Sequence, residues 1–148
     1  SAMVACFAYD ERALIESYVP GREIAVSVMD TGDGPRPLPP VEVVTDGEYD
    51  FDARYNPGRS EYFVPARLSA SELALVQETA MTVHRTLGLG NLSRTDLILD
   101  DAGTPWFIDV NVVPGMTETS LLPLAAEADG GLPELYDALV HHPLVTPS

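Results

Sequence analysis

Two short polar patterns in this chain carry side chains that could hold a metal ion. Asp109 and Asn111 alternate with apolar residues in FIDVNV, and Arg94 and Asp96 alternate in SRTDLI. Residues two apart on a β-strand point to the same face. Two carboxylates and an amide oxygen are donors that Mg²⁺ accepts together with phosphates and water. These residues are therefore candidates for a metal site.

The two patterns are predicted to be the strands of a β-hairpin. NLSRTDLILD (91–100) and PWFIDVN (105–111) are separated by the short turn DAGT. If the register is centred on this turn, Asp100 lies opposite Pro105.

This register places Asp96 opposite Asp109 and Arg94 opposite Asn111. A polar square then lies on one face of the hairpin. A slip of one residue would move every apolar side chain to the other face, so the register is well specified. The other face is predicted to be core and consists of Leu97, Leu99, Trp106, Ile108 and Val110.

Two carboxylates in this arrangement repel each other. For Asp96 and Asp109 at about 5 Å and an effective dielectric near 20, the cost is about 3 kcal/mol. The compensating cation is either Arg94, in a salt-bridged hairpin, or a divalent metal ion, and spacing alone supports both about equally. Gly115 can bring backbone close to a ligand, and Ser120 begins a predicted helix whose free N–H groups suit an anion. The loop after the hairpin therefore favours the metal site over the salt-bridged hairpin.

Strands are predicted at three places before the hairpin. Segments 14–19 and 23–29 are joined by a Pro-Gly turn, and 41–44 forms a further strand. Segment 30–40 is rich in Pro and Gly and is interpreted as an exposed loop. Segment 49–68 is interpreted as mostly irregular.

The clearest helix begins at a capping box formed by Ser69 and Glu72 and ends at Gly88. Shorter helices are predicted near 120–128 and 132–141. The mixture indicates an α+β fold, with a mainly antiparallel sheet flanked by helices. The apolar stripe of the first helix is Leu73, Val76, Ala80, Val83 and Leu87.

The amino-acid composition excludes some classes of binding partner. The net charge of −15 argues against nucleic acid and anionic membranes, which bind basic surfaces. No apolar run approaches the roughly 18 residues that span a membrane. All eight basic residues are arginines, so a phosphate must be held by Arg, backbone amides or a metal ion. The single cysteine suits a reducing, cytoplasmic compartment. Residues 1–3 are interpreted as a cloning scar.

Three segments carry a family resemblance. YDFDARY, SRTDLILD and FIDVNVVPGMTETSLLPLAA closely resemble the C-terminal half of D-alanine–D-alanine ligases of the ATP-grasp superfamily, over about residues 13–139. The run acid-x-Asn-x-x-Pro-Gly-Met-Thr-x-x-Ser is too specific to be met easily by chance. The resemblance implies an ATP-grasp C-terminal subdomain. It also implies an enzyme that joins two D-alanines through an acyl phosphate for peptidoglycan precursor synthesis.

The resemblance assigns nucleotide and metal roles. Glu16 matches the acid near the adenine amino group, Val19 the position whose backbone meets the adenine ring, and Glu23 the acid on the ribose hydroxyls. The implied cofactors are ATP and two Mg²⁺ ions, with Mn²⁺ as an alternative. The implied metal ligands are Asp96, Asp109 and Asn111.

The resemblance also assigns catalytic and substrate roles. Arg94 and the backbone of Gly115 match groups that stabilise the tetrahedral intermediate. Ser120 and Leu121 match the site for the carboxylate of the second substrate. Arg54 and Tyr55 match the lysine–tyrosine pair of the loop that closes over the site in the family.

Departures from the family leave alternatives open. Asp109 stands where the family has glutamate, and Arg54 and Ser17 stand where it commonly has lysine. A ligase for other amino or hydroxy acids and a non-catalytic ATP-grasp module therefore remain as alternatives. Residues 4–148 are expected to form only part of the ATP-grasp domain, without the N-terminal domain or most of the central subdomain. This portion is expected to be inactive alone, with the parent a homodimer through the absent domain.

Overall fold

The computed structural model of the 148-residue chain describes residues 2–45 and 60–141. None of the helices in these two ranges is long and apolar enough to cross a membrane. In chain order the helices and strands are α1 (Ala2–Cys6), β1 (Arg22–Met29), β2 (Arg36–Pro37), β3 (Val41–Thr45), β4 (Ser60–Phe63), α2 (Ala70–Thr86), β5 (Leu92–Leu99), β6 (Pro105–Asn111), α3 (Leu121–Asp129) and α4 (Leu132–His141).

The strands form one antiparallel sheet in the order β4-β3-β1-β5-β6, with β2 also paired to β1. β1 is central and pairs with β5 along its whole length, from Arg22 opposite Leu99 to Met29 opposite Leu92. Helices pack against the sheet. The predicted α+β class, with an antiparallel sheet flanked by helices, is confirmed.

Alternate residues of β1 supply two separate cores, because successive side chains on a strand point to opposite faces. One face packs against α2 and contains Ile24, Val26, Val28, Val76, Ala80, Met81, Leu97 and Leu99. The other face packs against α3 and α4 and contains Ala25, Met29, Leu38, Val41, Val43, Leu121, Leu122, Ala125, Ala126 and Leu135.

The capping box of α2 is present as predicted. The Glu72 backbone N–H donates to Ser69 Oγ at 3.3 Å, and the Ser69 N–H donates to Glu72 Oε2 at 2.7 Å. The apolar stripe predicted for α2 is wrong at its last residue, because Leu87 is 55% exposed. His84 is buried in its place, one helical turn after the buried Ala80.

Predictions for three segments were wrong. Segment 14–19 contains no strand, and Leu14, Ile15 and Tyr18 are exposed. The predicted loop 30–40 contains β2, and Leu38 is buried beneath it. Segment 49–68 was predicted to be mostly irregular, and its described part, 60–68, contains the strand β4 at 60–63. In each case pairing within the sheet, which local sequence does not reveal, decides whether a strand forms.

Candidate functional site

β5 and β6 form the predicted hairpin, and Asp100 holds its turn. Asp100 Oδ1 accepts hydrogen bonds from the backbone N–H groups of Ala102 at 2.9 Å and Thr104 at 2.8 Å. Asp100 Oδ2 accepts from the Trp106 indole N–H at 2.8 Å. The indole hydrogen bond, followed by that of the Thr104 backbone, lowers the pKa of Asp100.

The register changes within the hairpin. Next to the turn Leu99, rather than the predicted Asp100, pairs with Pro105, and the ladder then shifts by one residue at a bulge beside Leu97. Ile108 is the extra residue on β6, because Leu97 pairs with Phe107 while the next pair involves residue 109. Beyond the bulge the predicted register holds.

Asp96 lies opposite Asp109, and Arg94 lies opposite Asn111, as the register count predicted. These two pairs form the polar square on one face of the sheet. Ala25 of β1 lies opposite Asp96 on its other side, so the square borders the apolar core at the central strand.

The predicted apolar face of β6 is only partly correct. Leu97 and Leu99 are buried, but Trp106 and Ile108 are 47% and 56% exposed. The bulge reverses the side-chain alternation, so Trp106 pairs with Ile98 and not with the buried Leu99. Among the described strands, β6 also lies at the edge of the sheet and pairs only with β5.

Arg94 is the cation that compensates the carboxylate of Asp96. Arg94 Nε donates to Asp96 Oδ1 at 2.8 Å and Nη2 donates to Oδ2 at 2.8 Å, a two-pronged pair. Arg94 is 7% exposed and Asp96 is 9% exposed, whereas Asp109 is exposed. Of the two readings that spacing left open, the salt-bridged hairpin is therefore present.

The donor set also fits a hard divalent ion. A carboxylate oxygen accepts more than one partner, so the Arg94 pair does not exhaust Asp96. The Asn111 side-chain oxygen accepts the Val113 backbone N–H at 2.9 Å, which holds the amide at the end of β6. Within the described ranges no three His, Cys, Asp or Glu side chains converge. An ion here would therefore take Asp96, Asp109 and Asn111 with water or phosphate oxygens, as Mg²⁺ commonly does.

A cleft of about 1120 Å³ lies beside the polar square. Its walls come from the segment before β1 and from β1, β3, β5 and β6. Four of the residues predicted to bind nucleotide or metal line it: Val19, Glu23, Asp96 and Asp109. Glu16 is exposed and does not line this cleft.

A buried acid in the cleft wall was not found by sequence reasoning. Glu42 is 3% exposed and accepts three hydrogen bonds from Arg67, from its backbone N–H at 3.1 Å, Nε at 3.0 Å and Nη2 at 2.9 Å. The Arg67 side chain lowers the pKa of Glu42 and stacks 3.5 Å from the centroid of Phe63. An acid between valines in VEVV was the available signal, because a buried carboxylate requires a cation.

This ion pair connects to the helix α2. Arg22 donates to the Arg67 backbone carbonyl at 2.8 Å and forms an ion pair with Glu72, the capping-box acid. The start of β1 is thereby tied to both β3 and α2. The neighbouring Glu23 and the segment that precedes β1 are positioned by these contacts.

The loop after β6 brings Gly115 and Ser120 together. Ser120 Oγ accepts the Thr117 backbone N–H at 3.2 Å and lies 2.8 Å from the Thr117 hydroxyl. A Cβ on residue 115 would lie 2.7 Å from Ser120 Oγ, so a larger residue there would have to displace the Ser120 hydroxyl. Leu121 packs its side chain in the core, which leaves only its backbone for a ligand. Arg54 and Tyr55 lie outside the described residues.

The chain is similar to known proteins over most of its length. A family model described as D-ala D-ala ligase C-terminus matches residues 1–142. The D-alanine–D-alanine ligase of Methylacidiphilum infernorum (isolate V4) is 42% identical over 123 residues, which are 82% of this chain and 39% of that protein.

Solved structures agree with this similarity. The D-alanine–D-alanine ligase from Bacillus anthracis superposes with a TM-score of 0.77 at 29% identity, covering 95% of this chain and 45% of that one. Its complex with ATP gives a TM-score of 0.76 at 28% identity, covering 95% and 46%. The chain thus spans less than half the length of these relatives. Both kinds of similarity, in sequence and in fold, mean that it belongs to the D-alanine–D-alanine ligase C-terminus family.

Proposed function

We propose that this chain is the C-terminal ATP-grasp region of a D-alanine–D-alanine ligase. In the full-length enzyme, ATP phosphorylates the carboxylate of one D-alanine. The amine of a second D-alanine then attacks the carbonyl carbon of this acyl phosphate, and phosphate leaves. The observation that carries the proposal is the position of Asp96 opposite Asp109 in the wall of a cleft that Val19 and Glu23 also line.

The cleft is proposed to hold the nucleotide. The backbone of Val19 meets the adenine ring, the Glu23 carboxylate accepts hydrogen bonds from the ribose hydroxyls, and Glu16 lies near the adenine amino group. The position of Val19 and Glu23 in the cleft wall supports these roles. The contacts of Arg22 with Glu72 and Arg67 hold the start of β1 and so keep Glu23 in place.

Asp96, Asp109 and Asn111 are proposed to hold magnesium, with two ions expected and Mn²⁺ as an alternative. A bound ion would neutralise phosphate charge between the nucleotide and the protein. Such neutralisation is needed because the net charge is −15 and the cleft wall carries several carboxylates.

The remaining polar groups are proposed to act on the two D-alanines. Arg94 and the backbone N–H of Gly115 donate hydrogen bonds to the oxyanion that develops at the attacked carbon. Ser120 and the backbone N–H of Leu121, at the start of α3, receive the carboxylate of the second D-alanine. The pair Arg54 and Tyr55 belongs to the closing loop.

Activity is proposed to need the portion of the relatives that this chain does not match. Phosphoryl transfer requires the charge on the phosphates to be neutralised from both sides of the nucleotide. The lysines that contribute to this in the family lie in the central subdomain. The parent is proposed to be a cytoplasmic homodimer that associates through the unmatched portion.

A chimera tests the proposal. Residues 4–141 replace the matching part of the Bacillus anthracis ligase, and D-alanine-dependent phosphate release is measured. We expect turnover that Asp96→Asn and Asp109→Asn each remove, while Arg36→Gln, at an ion pair outside the cleft wall, retains it. A folded chimera that binds ATP but releases no phosphate would support the non-catalytic module. Turnover with D-lactate or D-serine in place of the second D-alanine would support the alternative ligase.

A further inference from the structure

The Arg94 ion pair and the proposed metal site share one carboxylate. Both oxygens of Asp96 accept guanidinium N–H groups at 2.8 Å. Both side chains are nearly buried, at 8% and 12% exposure, so solvent screens the pair only weakly. An ion that binds between Asp96 and Asp109 must therefore approach an oxygen that already neutralises a positive charge.

The charges at the site do not favour holding both cations. Asp96 and Asp109 together supply two negative charges, which Arg94 and a divalent ion would exceed by one. The guanidinium and the ion would also repel each other across a single carboxylate. This excess is relieved if Arg94 turns to another anion.

We infer that Arg94 is a built-in competitor of the metal ion. It occupies Asp96 before the ion arrives, and binding of the ion weakens the Arg94–Asp96 pair and frees guanidinium donors for a phosphate in the cleft. Metal ion and phosphate therefore bind cooperatively, each raising the affinity for the other by the same factor. This regulation rests on the proposed metal role of Asp96 and Asp109.

Manganese binding to the full 148-residue chain tests the inference. The free Mn²⁺ signal is followed by electron paramagnetic resonance, with and without inorganic phosphate. Arg94→Gln should bind Mn²⁺ about tenfold more tightly than the unchanged chain, a factor typical of one lost charged hydrogen-bonding partner. Phosphate should raise the affinity of the unchanged chain but not that of Arg94→Gln.

Arg36→Gln is the matched control. It also removes one positive charge and one ion pair, since Arg36 Nη1 lies 2.8 Å from Asp129, but this pair is on β2 and α3. Its Mn²⁺ affinity should equal that of the unchanged chain. A gain in Arg36→Gln as large as in Arg94→Gln would overturn the inference, because net charge alone would then explain both.

A second measurement needs no charge-removing variant. The second measurement is NMR spectroscopy of the arginine side chains. The chain has eight arginines, so its spectrum contains few arginine Nε–H signals. The Nε–H signal of Arg94 is the one that is missing from the spectrum of the Arg94→Lys variant. This variant keeps the positive charge but loses the forked geometry of the guanidinium. Adding Mg²⁺ should make the Arg94 Nε–H exchange faster with solvent. An unchanged exchange rate at saturating Mg²⁺ would overturn the inference.

Failure of the inference and failure of the proposed function give different results. If Asp96→Asn and Asp109→Asn lose Mn²⁺ but Arg94→Gln gains nothing, the metal site stands and the competition does not exist. If Mn²⁺ binding is the same in all of these variants, the metal role itself is wrong. If neither the unchanged chain nor Arg94→Gln binds Mn²⁺, the inference is overturned.

Discussion

Asp96 and Asp109 lie directly opposite each other on β5 and β6, and the bulge begins at the next residue toward the turn. The polar face ends at this pair, because the next residue of β5 on the same face is Ile98, which lies opposite Trp106. Arg94, two residues away on β5, supplies the positive charge that makes this arrangement stable. The same three charges govern the stability of the hairpin and its proposed chemistry.

Asp96→Asn should lower the free energy of unfolding by about 3 kcal/mol, because it removes the carboxylate charge that the buried Arg94 guanidinium contacts. Urea denaturation at pH 7 without metal measures this change. Asp109→Asn is the matched variant on the exposed side of the pair, and its effect should stay within about 0.5 kcal/mol. Equal effects of the two substitutions would show that repulsion, rather than the Arg94 pair, dominates.

Glu42→Gln should destabilise the chain by about 1.5 kcal/mol, because the buried Glu42 loses its charged hydrogen bonds from Arg67, whose own side chain is 56% exposed and can be solvated. Asp129→Asn removes a more exposed ion pair, with Arg36, and should cost less than about 1 kcal/mol. Urea midpoints at pH 7 compare the two variants. Similar midpoints for both would contradict a stabilising role for burial of the Glu42 pair.

Low pH should weaken the ion pair between Glu42 and Arg67 and so lower the free energy of unfolding. Arg67 lowers the pKa of Glu42 in the folded chain below its ordinary value of 4.5. The unfolded chain therefore takes up this proton first, and the stability from Glu42 is complete above pH 4.5 and is lost as the pH falls through the folded pKa. Unfolding of Glu42→Gln should depend less on pH in this range. Parallel pH profiles for the two proteins would exclude the effect.

His84 should make stability depend on pH in a higher range. Its Nδ1 lies 2.8 Å from Ser93 Oγ, and burial lowers its pKa, assisted by Arg85 and opposed by Asp30. As the pH falls below 6.5, His84 takes up a proton in the unfolded chain before it does so in the folded chain, where its pKa is lower. The free energy of unfolding therefore falls with the pH until the pKa of the folded chain is passed.

Unfolding free energies between pH 5 and pH 7.5 test this expectation. His84→Gln should flatten the profile, because it removes the buried imidazole. A profile that His84→Gln does not alter would assign the pH dependence to other groups.

Gly115→Ala should cost about 1–2 kcal/mol, because the new Cβ would lie 2.7 Å from Ser120 Oγ and displace it from Thr117. Ser120→Ala alone should cost about 1 kcal/mol through its lost hydrogen bonds. The double variant should be no less stable than Ser120→Ala, since the clash is gone. Thermal unfolding of all three variants completes the cycle, and additive losses would contradict direct contact between these residues.

ATP should bind this chain weakly and only with magnesium, and D-alanine should not stimulate hydrolysis. The cleft wall contains the proposed metal ligands, but the net charge of −15 repels free ATP. Calorimetric titration with ATP, with and without Mg²⁺, measures binding, and phosphate release with D-alanine measures turnover. Measurable D-alanine-dependent turnover by these 148 residues would show that they carry the complete chemistry.

Local sequence determined the elements whose signals come from near neighbours. The capping box of Ser69 and Glu72 and the alternation of β5 involve residues a few positions apart, so each could be predicted without knowledge of the fold. The bulge in β6 could not, because it depends on pairing with β5. The count from the turn gave the correct partner for Asp96 only because the bulge at Ile108 offsets a one-residue error at the turn, where Leu99 rather than Asp100 lies opposite Pro105. The role of Asp96, Asp109 and Asn111 as metal ligands stays a prediction.

Tertiary structure decided which of these patterns are paired and buried. Segment 14–19 has a strand-like pattern, but both edges of β1 are taken by β3, β2 and β5, and so it forms no strand. Glu42 and Arg67 are 25 positions apart and meet only because β3 and β4 pair. The choice of Arg94 as the cation for Asp96 likewise depended on burial beneath the neighbouring elements, since low exposure strengthens an ion pair that water would otherwise screen.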